Sequence, residues 1–335
     1  MSQSVNGLSL VIPVYNRPDE VDELLLSLSK QSDKNFEVVI VEDGSSKKCD
    51  EVVSRFKDLL DISYYFKNNS GPGQSRNYGS ERTKFDYIGF LDSDCVIPPG
   101  YIAAVRDSLN KDFSDAFGGP DAAHDSFTSL QKAINYAMTS FLTTGGIRGG
   151  GEKLDKFFPR SFNMGYSKKV FESTKGFSPM RFGEDIDMSI RILSGGFRTK
   201  LIKEAFVFHK RRTNIRQFFK QVHNSGIARI NLHKRHPGSL KLVHALPAAF
   251  VVGTAVLIVA SVFISPLALL PLLLLAIMLF LDATIKTHSI YIGALAVMAS
   301  FIQLIGYGTG FIRAFWKRIV LGKDEFSAFE KNFYK

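Results

Sequence analysis

The feature that most constrains this chain is an uncharged run: residues 242–281 contain no Asp, Glu, Lys or Arg. A second such run, residues 287–312, follows a short polar break at Asp282–Lys286. A helix that crosses a bilayer needs about 20 apolar residues, and soluble folds rarely bury uncharged stretches of this length. Three segments qualify: residues 245–264, a shorter one at 267–281 after the natural break at Pro266, and 290–312. The chain is therefore expected to be a membrane protein.

The charge is as uneven as the hydropathy. Lys and Arg number 42 against 32 Asp and Glu, a net of +10, which on its own suggests nucleic acid or a membrane surface. Residues 198–241, however, hold twelve Lys/Arg and a single acid, Glu204. That stretch abuts the first apolar run, where the positive-inside rule puts the cytoplasm. The excess is thus a basic collar at a membrane, and no nucleic-acid partner is expected. Arg313, Lys317, Arg318 and Lys323 carry the same cytoplasmic signature, yet three crossings would place them outside. Either the rule fails or one segment is re-entrant or interfacial, and Gly306, Gly308 and Gly310 make the third the least regular. Residues 1–7 lack the features of a secretory signal, and Cys49 and Cys95 are too few for a disulfide framework. The expected location is the inner membrane with the polar part in the cytoplasm.

That polar part alternates strand and helix. Residues 8–14, 36–41, 62–66 and 87–91 read as strands, and helical spacing appears from Pro18, from Val52 and after the turn that starts at Asn69. The pattern predicts an α/β fold with a doubly wound, mostly parallel sheet, whose ligands bind beyond the strand carboxyl ends. Asp43, Asp92 and Asp94 all fall at such ends. No G-x-G-x-x-G follows the first strand and no Walker loop is present. Two carboxylates spaced as Asp92 and Asp94 suit Mg²⁺ or Mn²⁺ with positions left for phosphate oxygens. An acidic turn of this kind is also common as a solvated surface feature.

Several ordered motifs, taken together, resemble family-2 glycosyltransferases of the inverting GT-A type. They are Val11-Ile-Pro-Val-Tyr-Asn16, Glu42-Asp-Gly-Ser45, Phe90-Leu-Asp-Ser-Asp94, Phe162-Asn-Met-Gly165, Gly176-Phe177 and Gly183-Glu-Asp-Ile-Asp187. The resemblance covers about residues 8–230. Glu42 stands where the family usually has Asp, and Tyr166-Ser167 replaces a commoner Ala-aromatic step. The resemblance implies a nucleotide-diphospho-sugar donor, with Pro13 and Tyr15 lining the base pocket, Asp43 accepting from the base, and Arg76 approaching the nucleotide. It further implies Asp94, with Asp92, as holder of the divalent cation, and His209 as a further ligand. Asp185 would be the general base and Glu184 would bind the acceptor. Processive synthases of similar sequence carry a Gln-x-x-Arg-Trp motif that is absent here, where the one tryptophan is Trp316.

Bland readings stand beside these. Glu184 and Asp185 also suit a helix N-terminus, and His209 also suits an ordinary strand end. Lys210, Arg211 and Arg212 fit either diphosphate or the collar. Residues 218–227 fit either an interfacial amphipathic helix or a packing helix, and residues 145–151 either a loop over the acceptor or a linker. The expected organisation is a catalytic domain over residues 1–240, juxtamembrane from about 210, a membrane region over 241–315 and a polar tail over 316–335. A membrane confines encounter with its contents, so the expected acceptor is lipid-linked or membrane-proximal. The competing reading is a membrane-tethered nucleotide- or anionic-lipid-binding protein without transfer activity.

Overall fold

The computed structural model describes residues 4–122, 127–144, 157–210 and 212–325. Their contacts group them into two units, one from residues 4–122 and 157–209, the other from 127–144 and those described from 210 onward. The described residues from 210 to 240, expected as the juxtamembrane end of the catalytic domain, therefore group with the apolar helices. Residues 145–151 and Arg211 lie outside the described residues.

The strands of the first unit are, in chain order, β1 (Leu8–Val14), β2 (Phe36–Asp43), β3 (Ile62–Lys67), β4 (Tyr87–Leu91), β5 (Cys95–Val96), β6 (Ala116–Gly118), β7 (Asp121–Ala122), β8 (Asn163–Ser167), β9 (Thr199–Leu201) and β10 (Val207–His209). The main sheet has the order β3-β2-β1-β4-β8-β6-β9. It is parallel except at β8, which runs against both β4 and β6. The expected mostly parallel sheet is thus present, and the four strands read from sequence are β1 to β4.

The apolar runs explain the layering. A central parallel strand is covered on both faces and needs no polar alternation, and β1 and β2 are buried almost throughout. Leu8, Leu10, Ile12 and Val14 point into a core with Val21, Leu24, Leu25 and Leu28 of helix Pro18–Ser29. Val11, on the opposite face, joins Phe90, Tyr166, Phe177 and Met188, as the two-residue side-chain period requires. A small second sheet, β5-β10-β7, caps the carboxyl side of β4. In it His209 pairs antiparallel with Cys95.

Helix Pro72–Ser80 approaches the sheet closely because position 79 has no side chain. A Cβ there would stand 2.4 Å from Cγ1 of Val11 and 3.1 Å from Cγ2 of Val41. Arg76 lies one turn earlier on that helix, so this contact sets the height of its guanidinium.

The second unit holds three helices long and apolar enough to cross a membrane: Leu246–Phe263, Pro266–Thr287 and Ile290–Val320. The second outlasts the residues 267–281 expected from sequence. Asp282 pairs with Lys286 one turn on and accepts from the Tyr136 hydroxyl, so the polar break stays helical.

Gly79→Val should overpack this seat and lower stability by about 1–3 kcal/mol, read as a lower midpoint in thermal unfolding of the detergent-solubilised chain. An unchanged midpoint would mean the helix is not seated as described.

Candidate active site

The site lies beyond the carboxyl ends of β1, β2 and β4, where a parallel sheet opens. Asp92 and Asp94 follow β4 directly, and the Cys95 N–H closes the turn on the Asp92 carbonyl at 3.2 Å. Because β10 pairs with β5, His209 arrives beside this turn. Its Nε2 is 3.1 Å from Oδ1 of Asp94 and 4.0 Å from Oδ2 of Asp92. The Phe162 ring stacks on the imidazole, with centroids 5.0 Å apart and 16° between planes, and fixes its orientation.

Asp94, Cys95 and His209 bring three potential ligand atoms within 4.8 Å of one another. Burial and the charges of Asp94 and Asp92 push the Cys95 thiol far above its ordinary range, and the thiol donates to the Phe162 carbonyl. That hydrogen bond commits the thiol to the backbone. The remaining donors are carboxylate oxygen and imidazole nitrogen, a set that fits Mg²⁺ or Mn²⁺. The structure thus brings together Asp92, Asp94 and His209, the three residues that the resemblance names for the metal.

A cation already faces Asp94. Arg17 donates through Nη1 to Oδ2 of Asp94 at 2.9 Å and to Glu20 at 2.8 Å. Sequence reading missed Arg17. Its signal is Asn16, which takes a left-handed turn at φ 55° and accepts the N–H groups of Ser46 and Lys47 at 2.8 Å. That ties the end of β1 to the turn after β2 and aims Arg17 across the site.

Arg76, expected near the nucleotide, is buried and spans two acids. Nη2 donates to Asp92 at 2.6 Å, Nη1 to Glu184 at 3.4 Å, and the guanidinium lies over the Phe177 ring at 5.4 Å. Neighbouring Asn77 exchanges two hydrogen bonds with the Phe177 backbone, at 2.9 and 2.7 Å. These bonds hold the segment that leads into Glu184. Gly183, in a left-handed conformation at φ 85°, then starts helix Glu184–Ser194. Glu184, Asp185 and Asp187 all fall in its first turn, where the helix dipole favours negative charge.

These acids differ in their partners. Asp187 is a structural residue, held by Ser178 and Arg191 at 2.7 and 2.9 Å. Asp185 accepts from Arg160 at 2.9 Å and from the Ile186 N–H at 2.8 Å. Burial and the adjacent Asp185 charge push the Glu184 carboxyl well above the usual range, against the opposing pull of Arg76. Such a carboxyl near neutral pH is able to donate a hydrogen bond as well as accept one. Arg160 is a second residue that the sequence did not single out.

The residues that the resemblance assigns to a base pocket sit at adjacent strand ends. Pro13 pairs with Val41 in register, and Tyr15 follows β1 directly. Both Asp43 oxygens are occupied within the protein, by the N–H groups of Ser70 and Gly71 at 2.9 and 2.8 Å and by the Lys67 ammonium. Asp43 therefore shapes the 69–71 turn that opens the Arg76 helix. Glu42 points elsewhere and receives the Cys49 N–H and the Tyr64 hydroxyl.

With this geometry established, comparison with known proteins is decisive. Residues 9–175 match the family described as "Glycosyl transferase family 2". The chain belongs to glycosyltransferase family 2. An uncharacterised glycosyltransferase of Rickettsia bellii is 39% identical over 87 residues, which cover 26% of this chain and 13% of that protein. A chondroitin synthase of Escherichia coli is 28% identical over 158 residues, 44% of this chain and 23% of the synthase. The chain thus spans well under half of these relatives' length. The fold matches a mannosyltransferase from Pyrobaculum calidifontis, solved with GDP-Man and Mn²⁺, at a TM-score of 0.63 and 16% identity over 95% of this chain and 89% of that one. The fold of the first unit is therefore that of GT-A glycosyltransferases.

Arg17 and a divalent cation would compete for Asp94. Arg17→Gln should bind Mn²⁺ several-fold more tightly than the parent when no nucleotide is present, measured by following free Mn²⁺ by electron paramagnetic resonance. Equal affinities would show that the pair does not oppose the ion.

Proposed function

We propose that this chain is a membrane-anchored, inverting, metal-dependent glycosyltransferase, moving a sugar from a nucleotide-diphospho-sugar to a hydroxyl of a lipid-linked saccharide or lipid acceptor. The observation that carries the proposal is the meeting of two acidic groups, Asp92/Asp94 with His209 and Glu184/Asp185, across the single guanidinium of Arg76. A protein that only bound phosphates would need neither a carboxylate pair nor a second acidic group on the far side.

In this reading Asp94, Asp92 and His209 hold Mg²⁺ or Mn²⁺, which when bound neutralises charge on the departing diphosphate. Pro13 and Tyr15 flank the base, and Asp43 accepts from it through lone pairs left by its backbone donors. Arg76 stays close to the diphosphate while holding Asp92. On the other side Asp185 takes the proton of the acceptor hydroxyl as its oxygen attacks the anomeric carbon. The bond from that carbon to the diphosphate oxygen breaks, both of its electrons leave with the nucleoside diphosphate, and the centre inverts. Arg160 holds Asp185 in place through its ion pair. Glu184, with its raised carboxyl, hydrogen-bonds the acceptor.

Donor class and ion are carried over from the Pyrobaculum mannosyltransferase, and glycan assembly from the chondroitin synthase. The three apolar helices and the basic stretch beside them support the acceptor class and the place, the cytoplasmic face of the inner membrane.

Two variants separate the halves of the site. Asp94→Ala should abolish Mn²⁺-dependent binding of nucleoside diphosphates, measured by calorimetry in detergent with an EDTA control; unchanged binding would end the transferase reading. Asp185→Asn should keep that binding and lose transfer by about 10²–10⁴-fold, the range for a general base. Full transfer in this variant would remove the base assignment, and a thermal-shift screen of nucleotide-sugars identifies the donor.

A further inference from the structure

The three apolar helices have different surroundings. None of the apolar window of Leu246–Phe263 is buried and 11% of the second is, against 39% of the third. Much of what buries the third helix is a pair of helices that carry charged and polar residues. Its second half runs beside helix Ile215–Arg235: His223 meets Thr309 at 3.2 Å and Lys234 donates to the Arg318 carbonyl at 3.3 Å. Between these points a Cβ on Gly226 would stand 2.2 Å from the Tyr307 carbonyl, and one on Gly310 2.0 Å from that of His223. The sequence offset hardly changes along the contact (86 residues at His223, 84 at Lys234), so the two helices run parallel and in close contact.

That neighbour cannot cross a bilayer. It carries Arg216, Lys220, Arg229, Lys234 and Arg235, and each such residue costs about 2.5–3.5 kcal/mol at mid-membrane. A helix lying alongside it shares its inclination. The first half of the third helix is flanked likewise by Ser129–Thr139, whose Ala133, Ile134 and Ala137 cluster with Ala296 and Ala299 and which also carries Gln131, Lys132 and Asn135.

The contacts with the other two apolar helices point the same way. Gly293 faces Thr284 and the Phe280 carbonyl, near the end of Leu270–Thr287. Gly308 faces Pro247 and Val251, and Phe301 packs on Phe250 at 5.8 Å, at the beginning of Leu246–Phe263. The third helix thus touches the start of one and the end of the other. Farther along, Val256, Val259, Val262, Leu270, Leu273 and Leu274 remain exposed.

We propose that Leu246–Phe263 and Leu270–Thr287 form a hairpin that enters the bilayer and returns to the same face, and that Ile290–Phe315 does not cross but lies along that face against the lipid headgroups. Ile312, Phe315, Trp316 and Ile319 are exposed near its end, with the aromatic character of an interfacial segment. Arg313, Lys317, Arg318 and Lys323 then share one side with the basic helix, close to anionic headgroups, and the positive-inside conflict disappears. The inference rests on the reading that the apolar helices enter a membrane, and it is independent of the sugar chemistry.

The test uses the full chain in sealed vesicles of both orientations, with one reporter cysteine, Lys241→Cys or Lys323→Cys, and an impermeant maleimide; Cys49 and Cys95 are buried. Both sites should label in the same orientation, at least tenfold over the other. Labelling from opposite faces would overturn the proposal. Release of the chain by an alkaline wash would instead end the membrane reading, and the proposal with it. As a second measurement, Met298→Trp in a Trp316→Phe background should be quenched most by lipids brominated near the headgroup. Strongest quenching by bromines near the chain ends would place residue 298 at mid-bilayer and also overturn it.

Discussion

Arg76 is the constraint on which the site depends. Its guanidinium, buried on a helix seated by Gly79 against β1 and β2, reaches Asp92 at one end and Glu184 at the other. These acids lie on separate segments more than ninety residues apart, and each would be costly to bury without a positive partner. One cation compensates both. The acids in turn hold Arg76 in its charged form, since its own burial acts against the charge and Asp92 and Glu184 outweigh it. Removing Arg76 would leave two acids without a cation in a low-dielectric setting, so the two halves of the site are tied electrostatically as well as by backbone.

The small sheet does for the half of the site around Asp94 and His209 what Arg76 does for the whole. His209 comes from far down the chain, and a three-residue strand would be marginal alone. Pairing with β5 and β7 places it. Asn163 reinforces the placement, accepting from Tyr101 at 2.7 Å and donating to the Ala205 carbonyl at 2.8 Å. Phe162, next to Asn163, stacks on the imidazole. The segment Phe162-Asn163 therefore acts in the site through its backbone, its amide and its ring, although none of these atoms need contact a substrate.

What could be read from sequence follows from the range of the forces involved. Strands β1 to β4 were legible because buried parallel strands leave continuous apolar runs, and Asp92 and Asp94 because an acid pair directly after such a run is conspicuous. Arg17 and Arg160 were not, because an arginine in a loop has no period, and its partner is fixed only when distant strands assemble. The short strands β5, β7 and β9 carry too few residues to show a pattern, whereas the apolar residues before His209 already marked a strand end at β10. Asp43 was legible as a residue but not in its bonding: the N–H groups it accepts belong to a turn 27 and 28 residues later. Helix Ile215–Arg235 shows the same limit, since its sequence fits an interfacial helix as well as a packed one, and only its partner's glycines reveal how close the contact is.

Taken together, the acids of the site follow one rule. Asp43 faces Lys67, Asp92 faces Arg76, Asp94 faces Arg17 and Asp185 faces Arg160. Each carboxylate meets a cation from a different segment, so none enters the cleft as a bare charge. Under the proposed function, binding would be an exchange of partners: an incoming cation would compete with Arg17, while a diphosphate would offer that arginine a new anion. The desolvation that a buried ion pair requires has then largely been met on folding, and what the ligand must overcome is the difference between two well-matched pairs. Under the proposed function, that exchange would let an acid-rich cleft bind and release highly charged molecules.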